Sequence, residues 1–251
     1  MANFNRTRSG NPTLRVLGDA LSAGSSATER MTIGGTVGKT AVLFVLLLIS
    51  AGWTWWKFSA AGPQAVEPFM MGGMIGGLVL ALATVFKPNW AAITAPLYAI
   101  LEGLFIGGIS ALFALRYGPV VVQAVMLTLG VMAGMLILYA SGTIKVTRKF
   151  YAGVMAATLG VMLFYLVTWV LSLFHVATGF LFFGSTTSIV ISLAFVGIAA
   201  LNLVLDFDFI NRAARSGAPQ YLEWYGAFAL MVTLVWLYLE ALRLMANLNG
   251  R

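Results

Sequence analysis

Seven apolar runs, each close to the roughly 20 residues a helix needs to cross a bilayer, decide what this chain can fold into. They lie near residues 39–58, 68–86, 91–115, 119–141, 150–174, 185–210 and 220–245. Hydrocarbon offers no partner to a bare backbone N–H or C=O, so such runs must close their own hydrogen bonds as helices. The expected fold is an all-α membrane protein with seven transmembrane helices, forming one domain over residues 37–251. Composition agrees. Of the 251 residues, 60% are hydrophobic and 9% charged, whereas a soluble domain carries about 25% charge.

Residues 1–36 are rich in Ser, Gly, Asn, Thr and Arg and read as a disordered cytoplasmic tail, with a short amphipathic piece near Leu14 to Leu21. The first apolar run starts near Thr40 and no small-residue cleavage site closes it. It is therefore expected to stay as the first span rather than act as a cleaved signal.

Several classes of chemistry fall away. The chain has no cysteine and a single histidine, His175, which removes disulfides, thiolate chemistry and His- or Cys-built metal centres. No Ser/His pair and no phosphate loop is present, so an enzyme is not expected. The formal net charge of +7 is scattered singly through loops with no polar domain to display it, which argues against a nucleic-acid partner. Those loop charges give an orientation instead. With the N-terminus in the cytoplasm, Lys57, Arg116, Arg243 and Arg251 fall outside and the other eleven of the 15 basic residues fall inside. This positive-inside bias places the N-terminus in and the C-terminus out. Glycine pairs in the second span (Gly72, Gly73, Gly76, Gly77) and the third (Gly103, Gly107) are expected to pack helices within one subunit.

Carboxylates carry what chemistry remains. Each costs roughly 2.5–3.5 kcal/mol in hydrocarbon and must find water, a partner or a proton. Four of the eight acidic residues lie between Leu201 and Met245. Glu102 lies eleven residues into the third span, roughly 16 Å deep and near the midplane, as a pathway residue or a buried hydrogen-bonded one. Asp206 and Asp208, near the end of the sixth span, differ by about 200° of helical rotation and cannot share a face. Asn202 is placed one turn before Asp206 to bond it and extend a polar stripe, whereas Asp208, with Arg212 beyond it, suits the cytoplasmic rim. Glu223 is the nearest carboxylate in depth on the last span. Asp206 and Glu223 would then share a proton released as pH rises, or hold a hard cation such as calcium through oxygen ligands. Glu240, Arg243 and Arg116 are expected to meet near the outer face as an ion pair.

Three stretches carry a family resemblance: MTIGGTVGKTAVL entering the first span, LYAILEGLFIGGISALF in the third, and LNLVLDFDFI through GAPQYLEWYGAF to VTLVWLYLEALRLM at the end. Over most of residues 32–246 the chain resembles the bacterial branch of the Bax inhibitor family, also called the transmembrane Bax inhibitor motif family. The resemblance implies a last helix surrounded by two groups of three, in a bacterial inner membrane. It also implies a pH-sensitive calcium leak governed by a pair of aspartates on helices six and seven. Asp206, followed four residues later by Ile210, matches the first of the pair. For the second, the LYLE motif points to Glu240, an ungapped count to Thr233, and depth to Glu223. Glu102 matches an acidic position of the third helix in some branches.

The leading expectation is a passive, pH-gated calcium or cation leak in the lipid bilayer, with no cofactor beyond the transported ion. The competing one is a membrane-embedded regulator that binds a membrane protease or stress-response partner through its polar tail. An intramembrane aspartyl protease is disfavoured, because neither a YD nor a GxGD motif occurs.

Overall fold

Capping residues and turn glycines set the helix boundaries. In the computed structural model, which describes residues 30–176 and 178–250, seven long helices follow one another. They are α1 (Ile33–Ala61), α2 (Glu67–Phe86), α3 (Ala91–Tyr117), α4 (Val120–Ala140), α5 (Arg148–Leu173), α6 (Thr186–Arg215) and α7 (Tyr221–Asn249). Each is long and apolar enough to cross a membrane. Thr32 and Thr147 cap α1 and α5 by accepting from Gly35 N and Phe150 N, and Ser185 and Ser188 form a reciprocal capping box at α6. After α6, Gly217 turns the chain with a φ of 69° into Ala218 and Pro219, from which α7 departs.

Two boundaries differ most from the sequence reading. The first helix begins at Ile33 rather than near residue 39, because Thr32 supplies its cap. The sixth runs on to Arg215 rather than stopping near residue 210, so Asp206 and Asp208 lie about two turns or more from its end instead of closing it. Residues 1–29, with Arg6, Arg8, Arg15 and the amphipathic piece expected near Leu14 to Leu21, lie outside the described residues, as does Arg251.

The last helix is the core. In the most apolar window of α7, 61% of residues are buried, against 17% for α2, α4 and α5. One group, α1 to α3, is organised on α3, which packs against both α1 and α2. A second, α4 to α6, is organised on α6, and α7 packs against α1, α3, α4 and α6 between the two groups. Small residues permit this. A Cβ on Gly103 or Gly107 would run into the α1 backbone at Leu47 or Ala51, so these glycines let α1 and α3 approach at backbone distance.

Successive helices alternate in direction, which gives the bundle two distinct ends. Lys39, Lys87, Lys145, Arg148, Arg212 and Arg215 gather at the basic end, together with the α6–α7 turn. Residues 30–32 lie across that turn as a strap. Met31 N donates to Ala218 O at 2.7 Å, Arg30 forms a lone antiparallel bridge with Pro219, and the Met31 side chain is buried in the core beside Ile210 and Leu222.

Candidate functional site

Asp206 sits in the seam between α6 and the core helix α7, in a layer otherwise made by Leu203, Ile210, Leu230 and Leu234. Its Oδ2 is buried and has no hydrogen-bond partner among the described residues. The hydroxyl of Thr233 on α7 faces the carboxyl, and Tyr225, about two turns nearer the hairpin, lies close enough to feel its charge. Of the three positions open for the second member of the pair, Thr233 is the one that meets Asp206.

Glu223 does not. The strap brings Thr32 and α1 brings Lys39 onto its carboxylate, which accepts from Thr32 N at 2.7 Å, Thr32 Oγ1 at 2.9 Å and Lys39 Nζ at 2.5 Å. Glu223 is only 3% exposed, and Gly35 makes room for it, since a Cβ there would collide with the carboxylate. Depth alone suggested a shared-proton or calcium-holding pair of Asp206 and Glu223. The ammonium of Lys39, arriving from α1, takes the place that pairing required. Among the described residues no three acidic or histidine side chains gather as metal ligands.

The remaining candidates separate. Asn202 donates to Thr158 Oγ1 on α5 at 2.8 Å and to Ile198 O at 2.9 Å, so it faces α5 instead of extending a stripe to Asp206. Asp208 pairs with Arg212 at 2.6 Å and accepts from Tyr139 OH at 3.4 Å, toward the basic end. Glu102 lies in the seam between α2 and α3 beside Gly77 and Tyr98, half-buried and without a hydrogen-bond or ion-pair partner among the described residues. Between Glu102 and Asp206 stands an aromatic row. Tyr98 meets Phe228 edge to face at 5.1 Å, and Phe228 lies 6.4 Å from Tyr225.

Glu240 pairs with Arg243 in the part of α7 expected to lie outermost, but covered by protein instead of open to solvent. It is 1% exposed, pairs with Arg243 at 3.2 Å, and accepts from Tyr165 OH and from Trp236 Nε1 at 3.2 Å. The Arg243 guanidinium lies over the rings of Tyr165 and Phe182. Arg116 takes no part: it is exposed and lies over Tyr117. Burial explains the difference, because α5 and the segment before α6 cover Glu240 and supply Tyr165 and Phe182. Sequence reasoning missed Thr32, Lys39, Tyr165 and Trp236 as carboxylate partners. Only Trp236, an i, i+4 neighbour of Glu240, left a readable signal.

A family model described as Bax inhibitor 1 like matches residues 10–250. No curated protein and no solved structure matches the chain.

Proposed function

Because the chain belongs to the Bax inhibitor 1 like family and carries seven membrane-length helices, we propose that it is a passive, pH-sensitive leak for calcium or another small cation. One observation carries this reading: among the described residues a carboxyl oxygen of Asp206 is buried in the seam between α6 and α7 with neither a hydrogen bond nor an ion pair, whereas Glu240 Oε2, which also lacks a hydrogen bond, faces Arg243. An unsatisfied buried polar group costs about 1–3 kcal/mol, and more when charged. A purely structural position gains nothing from that cost.

The proposed gate follows from the charge of the carboxyl. Protonated, Asp206 is neutral in its apolar seam and keeps its hydrogen bond with the facing Thr233 hydroxyl, which ties α6 to α7. Ionised, it still accepts from Thr233 but places a charge, with Oδ2 unpartnered, among leucines, which draws in water or a cation and loosens the seam. Flux therefore rises as pH rises. Thr233 stands where a second acid would share the proton, so this gate runs on one carboxyl. From the basic end, the approach to Asp206 passes Ile210 and Gly226, where Met31 is seated, so the strap is the inner closure. Glu102 offers a second carboxyl beyond the aromatic row.

In this reading the cation is cargo, no cofactor is held and no bond is made or broken. The basic end faces the cytoplasm of a bacterial cell and the C-terminus lies outside the inner membrane. The test is calcium flux into liposomes holding the purified protein, followed from acid to neutral pH. Wild-type flux should climb with pH, and Asp206→Asn should flatten the profile. An unchanged profile in Asp206→Asn removes the gate. No flux above empty liposomes removes the leak and transfers the bet to a partner-binding regulator.

A further inference from the structure

The core helix is left uncovered along one side. Between α1 and α4 runs a groove of about 600 Å³, with Leu230, Leu234 and Tyr238, one turn apart on α7, as its floor. On α1 it extends from Val37 to Trp55, eighteen residues or about 27 Å, close to the roughly 30 Å thickness of a hydrocarbon core. It opens sideways. Leu48, Val125 and Leu129 line it and are also exposed, and Ile49 and Met126 continue that apolar surface around α1 and α4. The groove is thus continuous with the surface the bundle presents to lipid.

We propose that this groove is a lipid site, filled by phospholipid acyl chains that enter between α1 and α4 and lie along α7, one from each leaflet, end to end. Its setting selects the occupant. The slot is about 27 Å long, close to the thickness of a hydrocarbon core, and opens onto the lipid-facing surface, so hydrocarbon chains enter it sideways from the bilayer. Its chemistry excludes water and ions. Four hydroxyls line the groove and all are already engaged: Thr40 donates to Thr36 O, Thr128 to Ala124 O, and Ser110 and Tyr238 bond each other at 2.6 Å. A water there finds too few free partners to stay.

Moving a chain from bulk lipid into the groove brings no hydrophobic gain, because lipid tails are as apolar as leucine. What holds it is dispersion, since an unfilled apolar groove forfeits contacts along both walls. Leu230 and Leu234 flank Thr233, so a bound chain touches the stretch of α7 that faces Asp206. The site stands without the leak reading.

The test needs no flux. In full-length protein with its seven tryptophans changed to Phe, Phe44→Trp places one reporter in the groove wall and Ile49→Trp one on the outer face of α1. Each variant is reconstituted in phosphatidylcholine brominated at mid-chain. Both reporters should be quenched. Adding Gly52→Leu, whose side chain enters open space in the groove, should at least halve the quenching of the Phe44→Trp reporter and leave that of Ile49→Trp unchanged. An unquenched Phe44→Trp reporter, as when a second copy covers the groove, overturns the proposal. Quenching that ignores Gly52→Leu overturns it too. Unchanged quenching at Ile49→Trp shows that the filled variant still folds.

Discussion

A carboxylate inside this bundle is either saturated by neighbours or left open, and the two kinds predict different behaviour. Glu223 accepts three hydrogen bonds, and Glu240 accepts two at Oε1 while its Oε2 is held by the charge of Arg243, whereas Asp206 keeps an orphaned oxygen with no ion pair among the described residues. Glu223→Gln keeps the shape of the side chain but removes the charge facing Lys39. It should lower stability in detergent by about 1–3 kcal/mol, read from thermal unfolding. Lys39→Met should cost a comparable amount, and the double variant less than the sum, because each single change strands the other group. Strictly additive losses would mean that the latch between α1 and α7 carries no coupling. The same residues show what the sequence could tell. Arg212 and Arg243 lie three or four positions from their acids and were legible as partners. Lys39 lies 184 positions from Glu223, and no local spacing announces it. Even short range misleads where a third group competes: Asn202 stands four residues from Asp206, yet Thr158 on α5 takes its amide.

Run length told where the helices are, since burying apolar side chains in a bilayer demands about 20 residues whatever they later touch. Which faces meet was far less readable, because glycines that pack and glycines that do not look alike in sequence. Gly107 sits against the backbone of Ala51, while a Cβ on Gly130 or Gly134 of α4 would meet open space. Gly107→Val should therefore abolish recovery of monodisperse protein, whereas Gly130→Ala and Gly134→Ala should fold normally and gain up to about 1 kcal/mol from helix propensity. Equal tolerance at all three would contradict the close crossing of α1 and α3. The fifth helix is bound differently. It is pinned to its neighbours by single polar bonds, Tyr165 to Glu240 and Asn202 to Thr158. Tyr165→Phe removes one of these for about 1 kcal/mol. Amide exchange should then rise along α5 and hold steady in α3, and uniform exchange would show that the bond does not hold α5.

The seven-span count, the alternation of the helices and the placing of basic residues at one end all derive from patterns spread over the entire chain, which is why they were legible before any contact was known. Those patterns also predict which compartment the gate senses. Asp206 lies nine residues from the basic end of α6, roughly 14 Å, and twenty from its other end, roughly 30 Å. On the proposed leak reading, protons and cations therefore reach it by the shorter way from the basic side, past the strap at Met31. If that side is cytoplasmic, as the charge bias demands, cytoplasmic pH sets the gate and external pH does not. The absence of cysteine makes the orientation straightforward to measure, because any introduced thiol is unique. Thr143 in the α4–α5 turn and Gln64 in the α1–α2 turn are both exposed and lie at opposite ends. Gln64→Cys should react with a membrane-impermeant maleimide in intact cells, and Thr143→Cys only after permeabilisation. The reverse pattern would put the strap and its Lys39–Glu223 latch outside, and the gate would then answer to external pH.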